Sequence, residues 1–238
     1  IIAIGKGAYD ASDTENDNMA IGFNAMTTNT AGGTENVAVG NYALDALTSG
    51  DYNTAIGMSA LGANTTGSYN IAVGRSALVL NTTGAGNVST GYASLAANTT
   101  GTDNVGIGKN ALTANTTGNN NTAVGKNSLV ANTTGVHNTA MGFEALKANT
   151  TASNNTAIGR AVLYSNTTAT GNTGMGSEAL YTNTTGANNI AIGTNALYTN
   201  NGAGNTAVGK DSLKANTTGG DNVAVGHGAL TANTTGDL

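Results

Sequence analysis

The chain of 238 residues has no Pro, Cys or Trp, only two Phe, and charged residues make up 9% of it. The low charge and the recurrence of Val, Ile, Leu and Ala throughout the chain both argue against a highly charged disordered segment. The absence of Cys says little about redox compartment, since a fold stabilised by its own repetition needs no disulfides. Glycine, by contrast, occurs 35 times, about twice its usual share. The compositional bias therefore indicates an unusual architecture.

Several classes of function are disfavoured by what is missing. The eight Lys and Arg are scattered singly in a chain of net charge −5, so no basic stripe is available for nucleic acid. Apolar runs are far shorter than the roughly 20 residues of a membrane span, so we expect no membrane insertion. His137 and His227 have no acid or nucleophile recurring beside them. We expect no enzyme activity, no cofactor and no metal site. The acids of the first repeat, which suit a polar first coil better than a weak cation site, are Asp10, Asp13, Glu15 and Asp17.

An Ala-x-Gly core recurs along the whole chain with a period of 17 residues. Two successive copies, NTAVGKNSLVANTTGVH and NTAMGFEALKANTTASN, show the pattern N-[TVI]-A-[VIM]-G-x-x-[AS]-L-x-x-N-T-T-G-x-x, whose positions we number 1 to 17. Twelve of the fourteen copies have 17 residues, one has 18 and one has 16. The copies begin at Ile1, Asn18, Asn36, Asn53, Asn70, Asn87, Asn104, Asn121, Asn138, Asn155, Asn172, Asn189, Asn205 and Asn222.

The repeat predicts the fold class. Both length changes fall after position 12, so positions 12 to 17 are expected to contain an exposed bend. A 17-residue unit is too short for two helices, and Gly at position 5 after β-branched residues at positions 2 and 4 is typical of a strand that ends in a turn. We therefore predict strands at positions 1 to 5 and 8 to 11. Residues 1–238 are predicted to form a single all-β tandem-repeat domain, a parallel β-solenoid of fourteen 17-residue coils. Because the last copy is as regular as an interior one, we expect the array to be a segment of a longer one.

The alternation of side chains along a strand assigns residues to two faces. Positions 2 and 4 carry Thr, Val, Ile and Met and are expected to line the core, opposite the Leu of position 9. Position 3 is Ala, with Ser89, Gly106 and Gly174 as its variants. A small row either keeps the coil thin or lets another chain approach closely, and we favour the second, because one coil has little apolar area to offset its conformational entropy. The predicted self-association face is Ala38, Ala55, Ala72, Ala123, Ala140, Ala157, Ala191 and Ala207.

The element NTAIGMSA from Asn53 resembles the NSVAIGxxS repeat of trimeric autotransporter adhesin heads, the YadA-like β-roll, and similar runs occur in some phage tail-fibre proteins. The resemblance covers all fourteen copies. It implies a left-handed parallel β-roll, assembly as a trimer, and a role in a surface fibre or in adhesion. The chain departs from that pattern in its longer period, in the Leu at position 9 and in the Asn-Thr-Thr-Gly bend.

The triplet Asn-Thr-Thr is both an N-glycosylation acceptor and sound turn chemistry. Asn at stacked bends can also form a ladder of amides from rung to rung. We favour the turn and ladder, because position 1 is Asn in thirteen copies, mostly without an acceptor triplet. The candidate glycosylation or ladder residues are Asn64, Asn81, Asn98, Asn115, Asn132, Asn149, Asn166, Asn183, Asn216 and Asn233, all at position 12.

Tyr164, Tyr181 and Tyr198 occupy position 10 in three consecutive copies. They are expected to form a surface aromatic strip, for which stacking is a simpler explanation than carbohydrate binding or docking.

We expect a structural fibre or filament segment, extracellular, at a cell surface or in a virion fibre, that binds copies of itself. One alternative is an adhesin head or tail fibre that binds a surface or carbohydrate ligand through positions 6, 7 and 10. A glycan-coated fibril is another. An ice-binding solenoid is less favoured, because the Thr at positions 13 and 14 are adjacent in sequence and need not share one flat row.

Overall fold

The structure, a computed structural model, describes residues 1–9, 17–29 and 32–237. The chain divides into two compact units, Ile1–Asn120 and Asn121–Leu238. Each repeat contributes one three-residue strand at positions 2 to 4, and the described ranges contain no helix. In the first unit the strands are β1 (Ile2–Ile4), β2 (Met19–Ile21), β3 (Val37–Val39), β4 (Thr54–Ile56), β5 (Ile71–Val73), β6 (Val88–Thr90) and β7 (Val105–Ile107). In the second unit they are β8 (Thr122–Val124), β9 (Thr139–Met141), β10 (Thr156–Ile158), β11 (Thr173–Met175), β12 (Ile190–Ile192), β13 (Thr206–Val208) and β14 (Val223–Val225).

Within each unit, every strand pairs in parallel with the strand one repeat further along. The register joins equal repeat positions, so that Ala38 of β3 lies opposite Ala55 of β4. Each repeat position therefore forms a column of side chains along the coil axis, and we refer to these as column 1, column 2 and so on. The predicted fold, an all-β parallel β-solenoid with one 17-residue coil per repeat, is confirmed in both units.

The second predicted strand, at positions 8 to 11, is wrong, because the chain turns there. In the fourth copy Ala60 donates its backbone N–H to Gly57 O (3.2 Å), and Asn64 donates to Leu61 O (3.0 Å). Position 9 adopts a left-handed backbone, as at Leu61 with φ of 51°. An L-residue with a side chain is strained in that region, and a strand does not contain it. The left-handed Leu turns the chain back toward the coil interior.

The faces of the strand are the reverse of those predicted. Ala72 is fully buried, whereas its neighbour Ile71 is 42% exposed. The interior holds the Ala of column 3 and the Leu of column 9, and the aliphatic residues of columns 2 and 4 face outward. The prediction of a self-association face is therefore wrong for every residue named, because all lie inside the coil at 0% exposure: Ala38, Ala55, Ala72, Ala123, Ala140, Ala157, Ala191 and Ala207.

The coil is too narrow for larger residues in column 3, as the exceptions demonstrate. A Cβ added to Gly174 would lie 2.4 Å from Cγ1 of Val162, which is buried in column 8 of the preceding coil. At Gly106 an added Cβ would lie 2.6 Å from Oγ of Ser94, which donates to the Gly106 carbonyl at 2.8 Å. At these two places the group in column 8 leaves room only for Gly in column 3, whereas Ser128 and Ser212 in column 8 are followed by Ala140 and Ala224. Small residues therefore fill the interior because two backbones face each other across it.

Glycine in column 5 allows the coils to stack. Gly40 has φ of +139°, and a Cβ there would lie 2.6 Å from the carbonyl carbon of Gly57 in the next coil. Real Cβ atoms do not approach a backbone so closely, and an L-residue would also be strained at this φ. Column 5 is therefore Gly because both the angle and the rung spacing require it.

Candidate functional site

The asparagines of the Asn-Thr-Thr triplets face the inside of the coil. In the first unit, Asn98 Nδ2 donates to Asn81 Oδ1 (2.8 Å) and to Gly101 O (3.0 Å). Asn98 Oδ1 accepts from Asn115 Nδ2 at 2.9 Å. In the second unit, Asn166 repeats the pattern with Asn149 at 3.0 Å. These bonds form the predicted ladder. The fully buried members are Asn64, Asn81, Asn98, Asn115, Asn132, Asn149, Asn166, Asn183 and Asn216, and Asn233 is half-buried.

A second ladder runs along column 1. Asn70 donates Nδ2 to Asn53 Oδ1 (3.1 Å), and its backbone N–H donates to the same oxygen (3.0 Å). Asn70 Nδ2 also donates to Gly84 O, which accepts from Asn81 Nδ2 as well, both at 2.9 Å. The two ladders therefore share the carbonyl of position 15. Sequence reasoning missed this second ladder, although the thirteen-fold recurrence of Asn at position 1 was its signal.

These contacts decide between the two readings of the triplet. A glycan is attached to Nδ2, which is the atom that donates two hydrogen bonds inside the coil. Attachment would break both bonds and require the buried side chain to turn outward, leaving polar groups unsatisfied. The folded coil consequently does not present the buried asparagines of column 12 to a glycosylating enzyme.

One coil interrupts the ladder of column 12. The third copy has Leu47 at position 12, where it is fully buried and where the copies on either side carry Asn29 and Asn64. Column 1 continues through this coil, because Asn53 Nδ2 donates to Asn36 Oδ1 at 3.0 Å. The interior therefore accepts a purely apolar side chain at position 12 when the other ladder is intact.

The threonines of the bend differ in exposure. At position 13 the hydroxyl is used within the coil stack, as when Thr65 Oγ1 donates to Thr82 O at 3.1 Å and Thr82 Oγ1 donates to Thr99 O at 3.0 Å. At position 14 the side chain is exposed, as at Thr66 and Thr83. The two rows thus do not present one surface of free hydroxyl groups, which weakens the ice-binding alternative.

The outward side of the strands carries the residues that we call the sheet face, the side chains of columns 2 and 4. No charged residue occurs in either column. Ile56 and Ile107 are 41% and 40% exposed in the first unit, and Met141 and Met175 are both 42% exposed in the second. Seven rungs about 4.8 Å apart, with two columns about 7 Å apart, give each unit a flat patch of roughly 240 Å². The patch is almost wholly apolar in the first unit, whereas five of the seven residues of column 2 in the second unit are Thr. A patch of that size approaches the few hundred Å² that a soluble monomer rarely exceeds, and such patches are often functional.

Tyr164, Tyr181 and Tyr198 form the predicted stack in column 10. Their ring centroids are 4.9 and 5.1 Å apart, with interplanar angles of 15° and 5°. Lys147 Nζ lies 4.9 Å from the centroid of the Tyr164 ring and bonds Tyr164 Oη and Glu144 Oε1, each at 2.9 Å. The bond to Tyr164 raises the pKa of Lys147, and the bond from Lys147 lowers the pKa of Glu144. Both faces of Tyr181 are covered by its neighbours, so the strip offers ring edges rather than a stacking platform for a sugar.

Catalytic and metal-binding arrangements are not found within the ranges that the structure describes. There is no group of three or more His, Asp or Glu side chains placed to hold a metal ion, and no pocket was detected. His137 and His227 are exposed and lie in different columns, 17 and 6. The acids Asp10, Asp13 and Glu15 lie outside the described residues. The described part of the chain contains no helix that is long and apolar enough to cross a membrane.

Comparisons with known proteins return nothing for this chain: no family model, curated protein or solved structure matches it. The resemblance to adhesin-head repeats therefore stays a prediction from the repeat motif. A function can be inferred only from the coil itself, and its relevant features are the two internal ladders, the apolar sheet face and the tyrosine stack.

Proposed function

We propose that this chain is a structural segment of an extracellular fibre, and that its copies associate through the sheet face. The observation that carries the proposal is the distribution of side chains: Ala, Leu and Asn fill the interior, and the β-branched and Met residues are left outside. Exposed apolar strand residues on a flat surface are costly in water unless another surface covers them. A second copy offers such a surface, equally flat, with the same rung spacing.

Three features support a mechanical role. Two ladders of buried amides cross-link successive coils in each unit, so that bending or separating coils breaks several hydrogen bonds at once. Parallel coils stacked through backbone bonds are stiff along their axis, as in other solenoids. The described residues hold no pocket in which a small molecule could be processed. Length and stiffness are what such an architecture supplies, and the resemblance to adhesin-head repeats adds a trimer at a cell surface or in a virion fibre as its implied form.

An adhesin head or tail fibre that binds a surface or carbohydrate ligand remains the second candidate. The observation in its favour is the exposed and variable column 6, which carries Arg75, Tyr92 and Lys109 in three successive coils. Because column 6 borders the sheet face, a ligand bound there would compete with any contact between copies that extends beyond columns 2 and 4. The covered rings of the tyrosine strip argue against that strip as the ligand site.

The proposal is tested by placing charge on the sheet face. The double variant Ile56→Lys/Ile107→Lys adds two ammonium groups to column 4, where both side chains already reach solvent, so the coil itself is expected to fold. Thr66→Lys/Thr100→Lys is the matched control, with the same added charge at exposed residues of column 14. Electron microscopy should show filaments or rods for the wild type and the control, and sedimentation velocity should show loss of the assembled species for the sheet-face variant. Equal assembly by both variants would contradict the proposal.

A further inference from the structure

Charged residues are sorted onto opposite edges of the sheet face. Positions 17 and 6 flank the strand on its two sides, each at a bend of the backbone, and the charged members of both columns are exposed. Column 17 of the first unit contains Asp17, Glu35 and Asp103 and no Lys or Arg, and column 6 contains Lys6, Arg75 and Lys109 and no acid. We call these columns the acidic edge and the basic edge.

A single rung shows the arrangement. Asp103, Ile107 and Lys109 are exposed and Val105 is half-buried, so one rung reads acid, apolar, apolar, base in order. The second unit keeps the same order of signs, with Asp221 in column 17 and Lys126, Arg160 and Lys210 in column 6. Of the eight Lys and Arg in the chain, six lie in this one column out of seventeen. Such segregation is not explained by packing, because both columns are solvent-exposed.

The two edges of the first unit do not neutralise each other within one copy. The strand lies between positions 17 and 6 of a rung, and the six residues that separate them span at most about 20 Å. The screening length in physiological salt is about 8 Å, so charges held on opposite sides of the strand interact weakly within one copy. Among the described residues, no ion pair joins Lys6, Arg75 or Lys109 to an acid. Lys109 lies 5.8 Å from the centroid of Tyr92 in its own edge, a contact that leaves its charge in place. The edges therefore present opposite charges to a partner.

We infer that copies of this chain associate side by side in parallel, with the basic edge of one sheet face against the acidic edge of the next. This inference rests on the proposed self-association and adds its direction. When one copy is rotated about an axis parallel to the coil axis, its column 6 comes to lie beside column 17 of its neighbour, in a pair or in a closed ring. Rotation about an axis perpendicular to the coils instead brings column 6 to column 6 and column 17 to column 17. The parallel arrangement pairs opposite charges and the antiparallel one opposes like charges.

The sheet face alone is smaller than a standard interface between two proteins, so the contact between copies must also include the two edges. The sheet face of one unit supplies roughly 240 Å², well below the about 800 Å² per partner of a standard interface. Including columns 17 and 6 widens the contact to at most about 20 Å and raises its area to at most roughly 670 Å². Individual surface ion pairs add little affinity, so the expected role of the edges is to fix direction and register, whereas the sheet face supplies the attraction.

Orientation is tested by cross-linking single-cysteine variants, because the chain has no native Cys. Ile21→Cys and Ile107→Cys both lie in column 4 of the first unit, five rungs apart. In a parallel assembly like rungs meet at every height, so a short bismaleimide should link each variant to itself. An antiparallel assembly brings like rungs together at one height, so at least one variant would fail to link to itself, which would overturn the inference.

The pairing of edges is tested by reversing charge on one rung. Lys109→Glu should weaken association about tenfold by placing like charges together, and Lys109→Glu/Asp103→Lys should restore it, since opposite charges then meet again on that rung. In an antiparallel assembly the single change would instead strengthen association, because it relieves repulsion within column 6. Circular dichroism of each variant verifies that the coil is folded. A wild-type chain that is monomeric would refute the proposed function as well, whereas a wild-type oligomer that strengthens on Lys109→Glu refutes this inference alone.

Discussion

Replacing one rung of the column 12 ladder is expected to destabilise the coil strongly. In Asn98→Ala three side-chain hydrogen bonds are lost: two donated by Asn98 Nδ2, at 2.8 and 3.0 Å, and one donated by Asn115 Nδ2 at 2.9 Å. Asn115 keeps its bond to Gly118 O, and Gly101 O keeps its bond from Asn87 Nδ2. The group left without its bond is Asn81 Oδ1.

The expected loss follows from those contacts. Three bonds at about 1 kcal/mol each, with about 1 kcal/mol or more for the buried oxygen that is left unsatisfied, give roughly 4 kcal/mol. For a chain of this size that corresponds to a fall in Tm of roughly 10 °C. Asn222 illustrates such an oxygen, since its Oδ1 is buried with no partner among the described atoms.

The assay is thermal unfolding followed by circular dichroism, with Asn233→Ala as the control at the same repeat position. Asn233 is half-buried and water can replace its bonds to Asn216 and Gly236, so this variant should lower Tm by at most a few degrees. Asn98→Asp is informative as well. Burial among acceptors should raise the pKa of the new carboxyl group, so its stability is expected to fall as pH rises and to recover in acid. Equal Tm changes for Asn98→Ala and Asn233→Ala would refute the ladder reasoning.

Three further predictions concern the interior, the turn and the bend. Gly174→Ala should destabilise the coil by about 2 kcal/mol through its clash with Val162, and Val162→Ala/Gly174→Ala should recover most of that loss in a double-mutant cycle; simple additivity would contradict the packing described. Ala93→Gly, at a left-handed position with φ of 51°, should stabilise by several tenths of a kcal/mol, whereas Ala97→Gly, at an ordinary backbone, should destabilise by about 0.5–1 kcal/mol, both read from denaturant midpoints. Intact-peptide mass spectrometry of the natively produced protein should find Asn115 without a glycan, and a sugar there would mean that the coil forms with this amide outside.

The sequence predicted the periodic features well. The 17-residue period, the parallel register and one coil per repeat followed from the regular return of Asn, Ala and Gly at fixed positions. The column 12 ladder followed from the chemistry of Asn at stacked bends. These features depend on which residues recur, and a repeat makes that information unambiguous.

The faces of the strand were assigned wrongly because larger apolar side chains were expected to be inside. In a coil this narrow the backbones on either side leave room for Ala at position 3, and the pairing of Gly174 with Val162 was the signal in the sequence. The absent second strand has a different cause. The left-handed backbone at Leu61 and Ser59 is set by the closure of the coil. Leu and Ser rarely adopt this conformation, so their presence in the sequence does not predict it, whereas a Gly would have indicated it.

The most direct test of the account is the molar mass of the wild-type chain in solution, measured by light scattering after size exclusion across micromolar concentrations. The sheet face is expected to be covered by other copies, so the mass should be at least twice the 23.3 kDa of one chain. It should also change little with salt, because apolar contact supplies most of the attraction. A mass of 23.3 kDa at every concentration would contradict the claim that this face holds copies together.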